Sequence, residues 1–307
     1  MVSEALAPAS ALSLLHTTKR FGETSALSDG TIAVAPGSVH ALLGENGAGK
    51  TTLMRIAYGL VRADAGEITI DGRPVRLQSP ADAIARGVGM VHQHLTAVAS
   101  MTVAENVALG QRGRYDVRAA HARVLAVGER TGLILDPSLR AGDLPVSAQQ
   151  RLEIVKALAG GARVLILDEP TAVLAPSAAA ELVQTLRVFA GRGGSVVLIT
   201  HKLREALAVA DEVTVLRRGR TVLHARADAV TESALVAAML GDNVASGAPA
   251  MIHRAPRGAP VLVARALVVH DDRGTVRVHD ASLDVYAGEI VGIVGVEGAG
   301  QHELLRA

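Results

Sequence analysis

Cysteine and tryptophan are absent from this sequence, which excludes a disulfide framework and a thiolate metal site. Aromatic residues make up 2% of the chain against 49% apolar residues overall, so a core must be filled by Leu, Val, Ile and Ala. Neither sign of charge dominates. The 31 basic and 30 acidic residues leave a formal net charge of +1, with no global pull toward nucleic acid. Long apolar runs are missing as well. The longest uncharged stretch, Gly87 to Ala104, contains His92, Gln93, His94, Thr96, Ser100 and Thr102, and is too polar to cross a bilayer. The opening residues, MVSEALAPAS, lack the basic and then apolar regions of a signal peptide. These absences predict a soluble, cytoplasmic chain that reaches a membrane only through a partner. At 307 residues it has room for two domains, or for one and part of another.

What is present centres on Gly44-Glu45-Asn46-Gly47-Ala48-Gly49-Lys50-Thr51, followed by Thr52. It fits the phosphate-cradling pattern G-x-x-x-x-G-K-[ST] at every constrained position. A short apolar run, Ser38 to Leu43, precedes it after the Pro36-Gly37 turn signal, and a helical pattern with Leu53, Ile56 and Ala57 on one face follows. Glycines let the backbone curl so that successive N–H groups point inward at an anion. The positive end of the following helix strengthens that field. Lys50 can reach terminal phosphates, and the Thr51 hydroxyl can ligate magnesium. The stretch is read as a nucleotide site.

Strand-like apolar runs recur at Ser38 to Leu43, Glu67 to Ile70, Val164 to Leu167, Val196 to Ile199 and Val213 to Leu216. Between them lie Ala-rich helical patterns such as Pro176 to Ala190, with Ala179, Leu182, Val183, Leu186, Phe189 and Ala190 on one face. Uninterrupted apolar strands are those buried on both sides of a mostly parallel sheet. Residues 95–160 lack such runs and predict an inserted helical subdomain.

The chain also repeats itself. Residues 35–56 align without gaps onto residues 286–307, pairing Gly37, Gly44, Gly47 and Gly49 with Gly288, Gly295, Gly298 and Gly300 at one constant offset. An Ala-, Gly- and Pro-rich segment separates the copies and predicts a linker. The expected organisation is a first domain over 1–245, a linker over 246–260, and the start of a second domain over 261–307. The second copy breaks off after its glycine loop, so the chain is expected to be a truncated form of a tandem protein.

Further chemistry gathers at strand ends. Val164–Leu167 runs into Asp168 and Glu169 and then Pro170-Thr171. Beside the glycine loop, Asp168 would hold magnesium through a water and Glu169 would polarise an attacking water. His201 follows the apolar strand VVLIT, where its imidazole could touch a γ-phosphate and hold that water in line. Taken alone, a strand-end histidine is more often packed or solvated. Gln93, after Met90-Val91, offers an uncharged amide able to ligate magnesium and sense the γ-phosphate; without the other motifs it would be an ordinary loop residue.

Taken together, Gly44–Thr51, Gln93, Leu144–Arg151, the LILDEPTA stretch and His201 resemble an ABC-type ATPase domain, in that family's order and spacing. The resemblance covers residues 12–245 and the start of a second domain. It implies an α/β P-loop fold of ABC type, with a mostly parallel sheet core, an antiparallel β part and a helical subdomain over about 95–160. The tandem arrangement, MVHQH around Gln93 and VSAQQRLEIVKAL resemble the ATPase subunit of bacterial importers for simple sugars and nucleosides. ATP and Mg2+ are the implied cofactors. Implied partners are two membrane permease subunits, an extracytoplasmic substrate-binding protein and the second ABC domain of a head-to-tail sandwich, at the cytoplasmic face of the membrane. The resemblance further implies that Phe21 stacks on adenine, although simple packing also explains an aromatic there.

Departures from the family pattern are informative. Pro145 and Ser147 stand where its signature has a serine and a glycine that contact a γ-phosphate across the sandwich. Pro145 has neither hydroxyl nor N–H, and Ser147 adds a side chain where backbone should approach closely. Ala175 stands where the family usually has aspartate, and Gln301 and His302 replace the lysine and threonine of the second loop. In the sandwich both defects would fall on one composite site, expected to be non-hydrolytic, while the fragment binds nucleotide and turns over poorly. Two other readings stay open: a tandem ABC protein acting on ribosomes or DNA, and a degenerate regulatory nucleotide binder. The short Gly/Pro/Ala-rich linker and balanced charge speak against the first, while the unusual Pro145 and Ser147 keep the second open.

Overall fold

A computed structural model describes residues 10–110, 114–241, 258–271, 274–295 and 299–307. The predicted linker, 246–260, lies outside the described residues up to residue 257. The chain divides into two compact units, Met1–Val244 and Ala245–Ala307. No helix among the described residues is long and apolar enough to cross a membrane.

In the first unit the strands are β1 (Leu12–Phe21), β2 (Thr24–Val34), β3 (Val39–Leu43), β4 (Ala65–Ile70), β5 (Arg73–Pro74), β6 (Val88–Val91), β7 (Val164–Asp168), β8 (Ser195–Ile199), β9 (Glu212–Arg217) and β10 (Arg220–Arg226). Its α-helices are α1 (Lys50–Ala57), α2 (Pro80–Ala85), α3 (Val103–Ala108), α4 (Val117–Thr131), α5 (Val146–Ala159), α6 (Pro176–Gly191), α7 (Leu203–Leu207) and α8 (Glu232–Leu240). The sheet order is β5-β4-β1-β2-β10-β9-β3-β8-β7-β6. Strands β9, β3, β8, β7 and β6 run parallel to one another. The β1, β2, β4 and β5 end is antiparallel.

The parallel strands read as unbroken apolar runs because each feeds two cores. Leu165, Leu167, Val196 and Leu198 face a core built with Leu182, Val183 and Leu186 of α6 and with the helices of residues 103–159. Their alternates Val164, Ile166, Val197 and Ile199 face a second core with Leu53, Met54 and Ile56 of α1. Alternation with period two sends neighbours to opposite faces, so both faces of these strands call for apolar side chains, and the buried exceptions His40 of β3 and Thr214 of β9 pair with each other at 2.8 Å. Each fully buried Leu, Ile or Val contributes about 1.5–3 kcal/mol, which makes the central strands a rigid base for whatever sits at their ends. Helix α6 buries Ala179, Leu182, Val183, Leu186 and Ala190, the predicted face, with Phe189 partly buried against it.

The antiparallel part differs from the expectation at two places. The Glu67–Ile70 run belongs to β4, half exposed and antiparallel to β1, not to the parallel core. The long β1–β2 hairpin has no clean alternation in sequence because its register shifts repeatedly and His16 sits at φ 48; such bulges scramble the two-residue period. Within residues 95–160 the described residues form α3, α4, a 3-10 turn at Ala141–Asp143 and α5. Among the described residues there, the strand-type pairing is an isolated bridge between Thr102 and Arg140.

The second unit holds a hairpin of β11 (Pro260–His270) and β12 (Val276–Tyr286), followed by α9 (Gln301–Arg306). It reproduces a local detail of the first. Gly49 caps α1 at φ 103, and a Cβ there would lie 2.6 Å from the Ala26 carbonyl oxygen. Gly300 caps α9 at φ 92, and its Cβ would lie 2.4 Å from the Arg277 carbonyl oxygen. Both pairs share the offset of the sequence repeat. Gly298, the partner of Gly47 in that repeat, lies outside the described residues. Residues Ile290 and Val294 are almost fully exposed, whereas Val39–Leu43 of the first unit are wholly buried.

Candidate functional site

Strands β3, β8, β7 and β6 are adjacent and parallel, so their C-terminal ends open on the same edge of the sheet, the usual place for a ligand in an open α/β sheet. The glycine loop leaves β3, His201 follows β8, Asp168 ends β7 and Gln93 follows β6. A cavity of about 400 Å³ at this edge is lined by Ala26, Asn46, Gly47, Gly49, Lys50, Thr51, Thr52, Gln93, Asp168 and Glu169. Residues far apart in sequence are thereby brought to one hollow by strand order alone.

The loop leaves room for no side chain at its ends. Gly44 has φ 151, and a Cβ there would meet the Leu216 carbonyl oxygen at 2.2 Å. Together with Gly49, it lets the loop wrap tightly against β9 and β2. Lys50 is 6% exposed, and its ammonium donates to the carbonyls of Gly44 at 2.8 Å and Glu45 at 2.9 Å. Burial pulls its pKa below the usual lysine range, opposed by the nearby charges of Glu169, Asp168 and Glu45. Ala48 is buried and its carbonyl accepts from the Gly219 N–H at 2.9 Å.

Asp168 is 4% exposed. Burial raises its pKa, with Glu169 adding to the shift, while a hydrogen bond from Thr51 and the charge of Lys50 oppose it. Buried carboxylates carry such a penalty unless a cation accompanies them. Glu169 has φ 49, a strained conformation for a residue with a side chain. It is held by its N–H donating to the Ile199 carbonyl at 2.9 Å and by the His201 Nδ1–Glu169 Oε1 contact of 2.9 Å. The histidine is half exposed and is held to the cavity wall through that carboxylate.

Other predicted residues stand apart. Phe21, at the tip of the β1–β2 hairpin, is half exposed with the Lys19 ammonium 5.5 Å from its ring centre, and does not line the cavity. Gly44, Glu45 and Ala48 belong to the loop but do not line the cavity. Pro145 is the N-cap of α5, without a capping side-chain bond, and Ser147 lies in its first turn. Ala175 is the N-cap of α6, again uncapped.

Three features were not anticipated. Ala26 lines the cavity from β2, a strand with no legible alternation. Thr171, directly after the Glu169-Pro170 pair, donates its hydroxyl to Glu205 at 2.5 Å and accepts from Lys202 at its carbonyl at 3.0 Å. This ties the segments after β7 and β8 together. Glu153 of α5 is buried and binds Thr96. Its signal in the sequence was slight, a carboxylate between Leu152 and Ile154 with Lys156 three residues on.

Comparison with known proteins adds the following. Residues 27–172 match the family profile described as "ABC transporter". The chain is 41% identical over 303 residues to the nucleoside import ATP-binding protein NupA of Lactococcus lactis, covering 96% of this chain and 59% of that protein. It is 40% identical over 305 residues to the ribose import ATP-binding protein RbsA 2 of Streptomyces avermitilis, covering 98% and 59%. It thus spans less than two thirds of these relatives. Among solved structures, cbiO1 from Clostridium perfringens, part of the cbiONQ ABC transporter complex, matches with a TM-score of 0.65 at 26% identity, over 75% of this chain and 93% of that one. MJ1267, an ATP-binding cassette of an ABC transporter, gives a TM-score of 0.69 at 24% identity over 76% and 100%.

Proposed function

We propose that the first unit is an ATPase domain of the ABC transporter type, as its match to that family profile and its likeness to cbiO1 support, and that this chain binds and hydrolyses ATP to energise import of a simple sugar or nucleoside through a membrane transporter. The observation that carries the reading is the convergence of Lys50, Thr51, Asp168 and Glu169 on one cavity at the end of the parallel strands.

The residues fit a magnesium–triphosphate. A buried ammonium beside two carboxylates, under a glycine loop at a helix start, suits an anion that brings its own cation. Thr51, Gln93 and Asp168 offer hard oxygen donors of the kind magnesium takes. Among the described residues no three His, Asp or Glu side chains form a metal group by themselves. Magnesium would therefore be shared with phosphate oxygens and water, as is usual for that ion. Bound there, it would neutralise charge developing on the phosphate oxygens.

In this reading Lys50 and the loop N–H groups stabilise the transferring phosphoryl group, and Asp168 and Thr51 orient the metal. Glu169 accepts the proton of the water whose oxygen attacks the γ-phosphorus, ADP being the leaving group. His201 fixes the Glu169 carboxylate through the 2.9 Å contact. Phe21 is proposed to face the adenine.

The transported class rests on the names of the relatives, which include nucleoside and ribose import proteins. The partners proposed are two membrane permease subunits and an extracytoplasmic binding protein, with this chain held peripherally at the cytoplasmic face. The helical segment after Gln93 is proposed as the docking face for those permeases. It carries exposed Leu109, Tyr115 and Val117.

Uptake of labelled ribose and guanosine in a strain lacking the gene tests the reading. Loss of uptake of a sugar or nucleoside, restored by the wild-type gene and not by Glu169→Gln, is the expected result. Unchanged uptake, with the protein sedimenting on ribosomes instead, would overturn it.

A further inference from the structure

We propose that Glu153 is a positioning residue for Gln93, holding the loop that carries this amide in a fixed place relative to helix α5. The proposal rests on the ATP-site reading above and names a residue that reading does not use.

Gln93 lies in an irregular segment between β6 and α3, with no strand or helix of its own to hold it. The segment is anchored on both sides. One residue before Gln93, the His92 ring meets Tyr58 edge-on, with centroids 6.2 Å apart at 77°, and Tyr58 is the C-cap of α1. Three residues after it, Thr96 is held by both oxygens of one carboxylate. The Thr96 N–H donates to Glu153 Oε1 at 2.7 Å and its hydroxyl donates to Oε2 at 2.8 Å. Lys156, one turn further along α5, donates to Glu153 Oε2 and to Thr96 Oγ1, each at 3.0 Å.

Two bonds from one carboxylate to the backbone and side chain of a single residue fix both its position and its peptide plane. Only four residues separate Val91, fixed in β6, from Thr96, fixed on Glu153, so Gln93 sits in a short span anchored at both ends. Glu153 is 5% exposed, on a helix whose nearby positions Leu152, Ile154, Val155 and Leu158 are buried as well. A carboxylate buried in such surroundings is costly unless it is hydrogen-bonded and paired. The fold therefore draws the loop onto α5 and resists its release. Helix α5 starts at Val146, directly after the Leu144-Pro145 stretch, so Glu153 also links the amide in the cavity to the helix that carries the altered signature.

The test is nucleotide discrimination by the 307-residue chain, read by titration calorimetry with Mg–ADP and with a non-hydrolysable Mg–ATP analogue. The variants are Glu153→Ala, Gln93→Ala, the double variant, and Thr96→Val, which alters an exposed residue and removes one arm of the contact without threatening the fold. Glu153→Ala is expected to weaken the triphosphate about fivefold or more and leave Mg–ADP within about twofold, because Gln93 answers to the γ-phosphate. Thr96→Val is expected to act in the same direction and less strongly. Adding Glu153→Ala to Gln93→Ala should change affinity by less than about twofold. Equal weakening of both nucleotides would mark Glu153 as a fold residue only and overturn the proposal. So would unchanged triphosphate affinity, or effects that multiply in the double variant. If wild-type triphosphate binding does not depend on Lys50, the ATP-site reading fails and this proposal fails with it.

Discussion

Replacing Lys50 with methionine keeps most of the side-chain volume and removes only the ammonium. Lys50 is 6% exposed and its ammonium makes hydrogen bonds of 2.8 and 2.9 Å to two loop carbonyls, so water cannot readily take its place. A hydrogen bond to a charged group is worth about 1.5–3 kcal/mol, which corresponds to roughly ten- to a hundredfold in Kd. Lys50→Met should therefore weaken Mg–ATP binding by about one to two orders of magnitude in titration calorimetry. Stability moves less. The Gly44 and Glu45 carbonyls lose their donor, at about 1–3 kcal/mol each if left unpaired, but the penalty of burying a cation disappears with it.

Acidity sets the sign of the remainder. Burial raises the Asp168 pKa above its unfolded value while the Lys50 charge lowers it. A carboxyl with a raised native pKa stabilises most below the unfolded value of 3.8, and that stability is lost as pH rises through the native pKa. Removing Lys50 raises the native pKa further and extends the loss to higher pH. The fall in Tm caused by Lys50→Met should accordingly be smaller at mildly acid pH than at neutral pH, measured by scanning calorimetry. An Mg–ATP affinity within about threefold of wild type would refute the reasoning, and a pH-independent difference in Tm would refute its electrostatic half.

Other outcomes follow from single contacts. Glu169→Gln keeps the shape of the cavity and removes the proton acceptor; nucleotide affinity should stay within a fewfold while single-turnover hydrolysis in the complete transporter falls by about a hundredfold or more. Normal turnover would remove Glu169 from the role of base. Ala175 is the N-cap of α6 without a capping side chain, so Ala175→Asp should stabilise the chain by about 1 kcal/mol in urea denaturation. No gain would mean that this helix start is already satisfied by other groups.

The local pieces of the site were legible before the fold was known. The glycine loop reads directly because only glycine tolerates the φ of 151 at Gly44 and the close carbonyl at Gly49. The parallel strands read as apolar runs because two cores demand it. The internal repeat is equally plain, since Gly49 and Gly300 answer the same steric demand against Ala26 and Arg277.

Tertiary structure decided the rest, wherever the cause is a contact between distant residues. Strand order placed Gln93, Asp168 and Glu169 around the cavity that holds Lys50, and no local pattern encodes which strands are neighbours. The β1–β2 hairpin escaped notice because its bulges break the alternation that marks a strand. Glu153 was hidden because a glutamate between Arg151 and Lys156 reads as one more charge on a solvated helix face. Its partner, Thr96, lies far back in sequence, and only folding brings the two within hydrogen-bonding distance. Sequence alone specifies what each segment tolerates; the packed chain specifies which segments meet, because pairing energies depend on distances that exist only once the core has formed.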